Sequence, residues 1–242
     1  MAVQAKRGFE PNDIRDFSPK AQEVLHTAAE EVYFLINRGY PVKSVTTFVG
    51  NRYQLSERQR LALARVVSPE ASITARLSKQ LAPEDMAGRC IHIDGFNALI
   101  TLEIAYSESM LFRCMDGTIR DLAGLHGTYR LIPQTDLAIK ALIDTLSELK
   151  VSGAVIYLDA PVSNSGRLKT RIYDLCGDIP FKLEVNVTEP VDTILKSKPL
   201  ISSGDAIILD ECESWFDLTG TVIARRIGDY PYVEFADGIY SR

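Results

Sequence analysis

An α/β domain with a mainly parallel sheet, preceded by a small all-helical basic domain, is the organisation this sequence predicts. Three observations predict it. Apolar residues recur at helical spacing through the first 80 positions, and after about residue 88 apolar strands alternate with helices. The charge also changes sign: residues 38–79 carry eight basic and two acidic side chains, whereas residues 91–242 carry 14 basic and 22 acidic. The expected domains are therefore 1–80 and 88–242. With 46% hydrophobic and 24% charged residues in 242, the chain has the balance of a folded globular protein, which excludes disorder as its main state.

Ser18 followed by Pro19 predicts a helix start, and Val24, Leu25, Ala28, Ala29, Val32, Leu35 and Ile36 then mark one face. Gly39 ends that helix. Val42 to about Val49 forms a second, broken by Gly50, and Ser56 caps a third through Val67. This is compatible with helix-turn-helix geometry. Arg52, Arg58, Arg60 and Arg65 either contact nucleic-acid phosphate or form a solvated face of a helical bundle.

Leu81–Asp85 reads as a linker. Arg89–Ile93 is a short strand ending at Asp94, Asp136–Lys150 an amphipathic helix, and Ala154–Leu158 a buried strand ending at Asp159. Ser165–Leu175 is a helix, Phe181–Val187 a more exposed strand and Val191–Lys196 a short helix. Pro199–Ser203 is another strand, leading to Gly204 and Asp205. Thr219–Ile227 and Tyr232–Phe235 read as an edge hairpin.

An aspartate therefore follows three apolar strands: Asp94, Asp159 and Asp205. In a parallel sheet these ends lie on one edge, where ligands bind, and Asp192 can reach the same edge. Carboxylates gathered there repel one another unless a cation such as Mg²⁺ or Mn²⁺ joins them. The competing explanation for each is a helix N-cap at a strand-to-helix turn.

Ser163, Asn164, Ser165, Gly166, Arg167 and Lys169 lie between a strand end and a helix. They form either an anion-binding turn or an ordinary capped helix start; the Walker A pattern is absent. In the glycine-rich stretch 116–130, Arg120, Arg130 and His126 could contact phosphate, or Arg120 could pair with Asp116 or Asp121. The opening Met1–Gly8 lacks a signal-peptide core and no apolar run approaches the ~20 residues of a membrane span. The four cysteines never form C-x-x-C, so a cytoplasmic protein with reduced thiols is expected.

The segment Ile91–Asn97, with Asp94 and Asn97 in a D-x-x-N pattern, resembles the first strand of PIN-like nucleases, notably the NYN branch. Val191–Leu195 followed by Ile201–Asp205 is similar to that superfamily's later pair, an Asp on a helix and then a strand ending in Ser-Gly-Asp. The resemblance covers roughly residues 88–210, and the whole chain looks like an uncharacterised prokaryotic family joining a helical domain to a PIN-like one. It implies a Mg²⁺- or Mn²⁺-dependent ribonuclease leaving a 5′-phosphate and a 3′-hydroxyl. Asp94, Asp192 and Asp205 would be metal ligands, and Asn97 would orient Asp94 or a phosphate. Asp159 is the choice for a further acidic residue in the cluster, with Asp116 and Asp121 as rivals. Asp205 is followed by Ala206 and Ile207, a departure from the Asp-Phe of NYN domains. A non-catalytic RNA-binding or adaptor protein with the same fold is the alternative. A phosphatase ranks below both, because Phe96 stands two residues after Asp94 where a second Asp is needed.

Overall fold

The computed structural model describes residues 6–124 and 127–240; the expectation for His126 lies outside these. In chain order the helices are α1 (Asp13–Asp16), α2 (Pro19–Ile36), α3 (Val42–Arg52), α4 (Glu57–Val66), α5 (Glu70–Ser78), α6 (Gly95–Tyr106), α7 (Pro133–Glu148), α8 (Ser165–Cys176), α9 (Val191–Lys196), α10 (Ala206–Glu211) and α11 (Leu218–Arg226). The strands are β1 (Cys90–Asp94), β2 (Phe112–Arg113), β3 (Ile119–Arg120), β4 (Gly153–Asp159), β5 (Lys182–Thr188) and β6 (Ile201–Ser202). They form two compact units, divided differently from the expected 1–80 and 88–242. One comprises Gly8–Ser78, Ser109–Leu122 and the stretch from Pro231; the other holds Lys79–Glu108 and Ala123–Tyr230, together with Arg7.

The helical unit explains this division. Leu25, Ala28, Ala29 and Val32 of α2 pack with Val45 and Val49 of α3 and Leu63 of α4. Phe112, Cys114, Leu122, Val233 and Phe235 complete the same core from distant sequence. Ser18 caps α2 through the Ala21 N–H, and Ser56 and Gln59 form a reciprocal capping box on α4. The second helix does not break at Gly50 but runs to Arg52. A Cβ at Gly50 would lie 2.8 Å from the Arg60 side chain, so this glycine makes room for an arginine rather than stopping a helix.

In the α/β unit the sheet is parallel with order β5-β4-β1-β6. The chain goes from β1 outward through β4 to β5, then returns to place β6 on the other side of β1. The order thus reverses between β1 and β6, and the crevice beyond their carboxyl ends is where such sheets bind ligands. Helix α6 begins over the face bearing Ile156 and Leu158, since a Cβ at Gly95 would meet both at 2.7 Å. Helices α9 and α10 cover part of the opposite face, packing Leu195, Ile208 and Leu209 with Tyr157, Ile201 and Trp215. The expected linker is part of this unit: the Leu81 N–H donates to the Trp215 carbonyl, and Pro83–Met86 forms a 3₁₀ turn.

The expected edge hairpin is absent from the described residues. Leu218–Arg226 is helix α11, capped by the Asp217 carboxylate on the Gly220 N–H, with Leu218, Val222 and Ile223 buried on one face. That spacing overrides the strand preference of Thr219, Thr221, Val222 and Ile223. Val233 instead bridges to Phe112 within the helical unit.

Candidate active site

Asp94 ends β1, the strand beside the order reversal. Its side chain is 7% exposed, and each oxygen has a protein donor. Oδ1 accepts the Asn97 N–H at 3.3 Å, capping α6, and Oδ2 accepts the Ser203 hydroxyl at 2.8 Å. Asn97 Oδ1 in turn accepts the Gly204 N–H at 2.7 Å. The turn after β6 is therefore fastened to the start of α6 twice, once through Asp94 and once through Asn97. The Ser203 oxygen also accepts the Asp205 N–H at 3.0 Å, and Asp205 Oδ1 accepts the Ile207 N–H at 2.7 Å as the cap of α10.

Burial pushes the Asp94 carboxyl up to about 7, against the pull of its two hydrogen bonds and with the charges of Asp159 and Asp205 adding to the rise. Asp159 lies two residues beyond Tyr157, the register partner of Asp94, and so on the same sheet face. Its carboxyl is also raised, by burial first and then by the charges of Asp192 and Glu189. Of the expected set Asp94, Asp192 and Asp205, the first lies at the end of β1, the second in the first turn of α9 and the third at the cap of α10. Asp94 senses Asp159 and Asp205, whereas the exposed Asp192, in the first turn of α9, acts on Asp159.

Among the described residues no three His, Cys, Asp or Glu side chains converge as a metal-binding group. The carboxylates of Asp94 at the end of β1, Asp159 at the end of β4 and Asp205 after β6 are oxygen donors, the type a hard divalent cation takes.

Other expected site residues have different places. Ser163 and Asn164 are spent on the chain nearby: the Tyr129 N–H donates to Ser163 Oγ at 3.1 Å, and Asn164 Nδ2 donates to the Tyr129 carbonyl at 2.6 Å. Ser165 is buried, Arg167 exposed and Lys169 half-buried. Arg120, Asp116 and Asp121 belong to the helical unit and do not complete a strand-end cluster. Asp116 is fully buried, 2.7 Å from Arg76 and 2.6 Å from Arg120. Its burial alone would raise the carboxyl; Arg120, Thr118 and Arg76 overcome that and hold it low. Arg120 also donates to the Arg65 carbonyl, so it is a core ion pair and not a phosphate ligand.

The arginine row on the helical unit is likewise divided. Arg58 donates to both oxygens of Asp13 at 2.6 and 2.7 Å. Arg60 donates to the Leu55 and Thr47 carbonyls and to Asn51 Oδ1. Both hold the fold together. Arg52 is exposed, 3.6 Å from Glu31, and Arg65 is half-buried.

One buried group escaped the sequence reading. Glu103 on α6 is wholly buried, ion-paired with Arg7 and hydrogen-bonded by Thr135 and by the Tyr129 hydroxyl at 2.5 Å. Burial raises its carboxyl against these partners. The signal was a single charged residue in the stretch Ala98–Ala105, otherwise apolar but for Thr101.

The fold defines an α/β protein with a parallel four-strand sheet flanked by helices, aspartates at its strand ends, and a helical unit. The chain belongs to the family described as domain of unknown function DUF5616, whose model matches residues 83–221. A second model, protein of unknown function DUF434, matches residues 24–79. An uncharacterised protein of Methanocaldococcus jannaschii is 35% identical over 187 residues, which are 76% of this chain and 88% of that protein. No solved structure matches the chain. No helix among the described residues is long and apolar enough to cross a membrane.

Proposed function

We propose that the protein is a metal-dependent ribonuclease acting at the β1–β6 crevice, with the helical unit supplying RNA affinity. One observation carries the reading: Asp94, buried at the reversal of strand order, is held by Ser203 and Asn97 while Asp159 and Asp205 press negative charge on it. A structural cap has no need of charged neighbours; a cation ligand benefits from them.

In this reading Asp94 and Asp205 would hold Mg²⁺ or Mn²⁺, with Asp159 and Asp192 extending the acidic edge. The bound cation would supply a nucleophilic water at neutral pH and offset charge developing at phosphorus. Asp94 would ligate as its carboxylate, and Ser203 and the Asn97 N–H hold its two oxygens. The Asp205 carboxylate is aimed by its own cap bond to Ile207. In this reading Arg167, exposed in the first turn of α8, and Lys169 would meet the phosphate backbone. Four free cysteines fit the reducing cytoplasm in which an RNA-processing enzyme works.

A second reading keeps the fold as a non-catalytic RNA-binding or adaptor protein. The observation favouring it is that Asp94 and Asp205 both serve as helix caps, a sufficient structural use for each. Calorimetric titration of Mn²⁺ into wild type and Asp94→Asn, with cleavage of single-stranded RNA by wild type and Asp205→Asn, separates the two. Binding lost in the first variant and cleavage lost in the second support the nuclease. RNA binding with neither cleavage nor Mn²⁺ uptake, even with RNA present, supports the adaptor.

A further inference from the structure

Two of the four arginines expected to meet RNA, Arg58 and Arg60, are consumed within the helical unit, but the same unit presents a surface that includes Arg52. Helix α3 buries Val45, Thr46, Val49 and Gly50. Its opposite side carries Lys43, Ser44, Thr47, Phe48, Asn51 and Arg52, all exposed. Phe48 is 67% exposed. The exposed phenyl ring is open to a stacking partner. The surroundings say which ligand. Between Glu31 and Glu57 the sequence has no acidic residue, and it carries Arg38, Lys43 and Arg52.

Asn51 adds directional information. Arg60 donates to Asn51 Oδ1 at 2.9 Å, which fixes the amide orientation and leaves the Asn51 NH₂ as an outward donor. The Thr47 hydroxyl donates to the Lys43 carbonyl at 2.8 Å, so its oxygen remains an acceptor. Arg52 lies 3.6 Å from Glu31, but Glu31 already accepts the Tyr53 hydroxyl at 2.8 Å and is part-exposed. The face thus combines two cations, an oriented amide donor and an open aromatic ring, with Glu31 of α2 at its Arg52 edge.

We propose that this outward face of α3 is a binding surface for single-stranded RNA, in which Phe48 stacks on an unpaired base while Lys43, Arg52 and the Asn51 amide contact the backbone. The assignment rests on RNA being the ligand, as in the proposed function. It replaces the Arg58–Arg60 row with a surface that row helps to build, since Arg60 orients Asn51. Duplex RNA fits less well, because paired bases hide the ring faces that an exposed phenyl needs.

The test is fluorescence anisotropy of the full-length chain with a labelled oligouridylate, alone and annealed to oligoadenylate, over a range of salt. Wild type should prefer the single strand. Phe48→Ala should weaken binding roughly tenfold with an unchanged salt slope, and Phe48→Trp should restore it. Lys43→Ala with Arg52→Ala should lower the slope of log K against log salt by about 0.7 for each cation removed. All are surface substitutions, and circular dichroism checks that each variant is folded. If wild type binds the single strand but these variants bind equally well with equal slope, the surface is wrong while RNA binding stands. If wild type binds no RNA, the surface and the RNA reading fail together. Self-association of wild type that Phe48→Ala abolishes would assign the face to a second copy of the chain, and also overturn the proposal.

Discussion

The Ser203 hydroxyl donates to Asp94 Oδ2 at 2.8 Å across 109 residues of sequence. The contact joins the ends of β1 and β6, the two strands between which the sheet order reverses. Because Ser203 also receives the Asp205 N–H, one hydroxyl sets both the orientation of the buried carboxylate and the start of the turn that carries its neighbour. The fold therefore fixes both Asp94 oxygens, and among the described residues no cationic side chain is bonded to them.

That imbalance gives a pH signature. The Asp94 proton is held in the folded state to about 7 but leaves the unfolded chain near 3.8. Between those values the unfolded chain has lost a proton that the folded protein keeps. Stability from this group therefore falls as pH rises from about 4 to about 7, and the full cost persists above 7. Asp94→Asn should be more stable than wild type at pH 8 without divalent cation, by at most about 4 kcal/mol, and equal to it near pH 4. Mg²⁺ should narrow the gap at pH 8 by stabilising only wild type. Denaturant melts at the two pH values check this; a variant less stable than wild type at pH 8 would refute it.

Gly95 follows Asp94 and opens α6. A Cβ there would lie 2.7 Å from the Tyr157 carbonyl as well as from Ile156 and Leu158. The carbonyl belongs to the β4 backbone and cannot rotate aside. Gly95→Ala should destabilise the protein by about 1–3 kcal/mol, despite the better helix propensity of alanine, because it forces α6 off the sheet. Thermal denaturation measures the loss. Mn²⁺ affinity should fall with it, since the shift moves Asn97 and the cap on Asp94.

How much of this was legible follows from range. The ends of β1 and β4, the edge strand β5 and helix α9 were legible because their signals are local: short apolar runs, alternation, an aspartate after the last apolar residue. Helix α6 was not, because Phe96, Ala98, Leu99, Ile100, Leu102, Ile104 and Ala105 are buried almost all round and leave no periodic stripe. Which arginines are free was also illegible. Arg58 meets Asp13 across 45 residues, and nothing near either residue marks the pair. The division into units was obscured for the same reason, since Phe112 and Phe235 reach the helical core from far along the chain.

The Asp116 site shows what such a distant pairing is worth. Its carboxylate is fully buried and bonds Arg76, Arg120 and the Thr118 hydroxyl. Asp116→Asn would keep the shape but leave two buried guanidinium groups sharing one neutral amide. Removing one partner of a buried ion pair costs about 3–5 kcal/mol. Because the Asp116 carboxyl is held low, its contribution is present above the unfolded value of 3.8 and is lost as pH falls through the lower folded value. The variant should therefore be much less stable than wild type at pH 7, with the gap closing only in strong acid. Equal urea midpoints at pH 7 would show that the pair adds nothing.

Arg7 occupies the corresponding place in the α/β unit. It pairs with buried Glu103, donates to the Arg130 carbonyl at 2.5 Å and lies 4.7 Å over the Tyr129 ring. Tyr129 holds Ser163 and Asn164 through its backbone, and these residues open α8 beyond Asp159. Arg7→Ala removes the cation paired with Glu103, and among the described residues the carboxyl then has the Tyr129 and Thr135 hydroxyls in support against its burial. The variant should lose about 3 kcal/mol or more near neutral pH and recover part of it as Glu103 takes up a proton at lower pH. The double variant Arg7→Ala with Glu103→Gln should be more stable than Arg7→Ala alone, because the unpaired charge is gone. Hydrogen exchange locates the effect: amides from 127 to 132 and at the start of α8 should lose protection in Arg7→Ala, while those of β5 and α9 keep theirs. Unchanged exchange in the first set would mean that the strap around Tyr129 stands without Arg7.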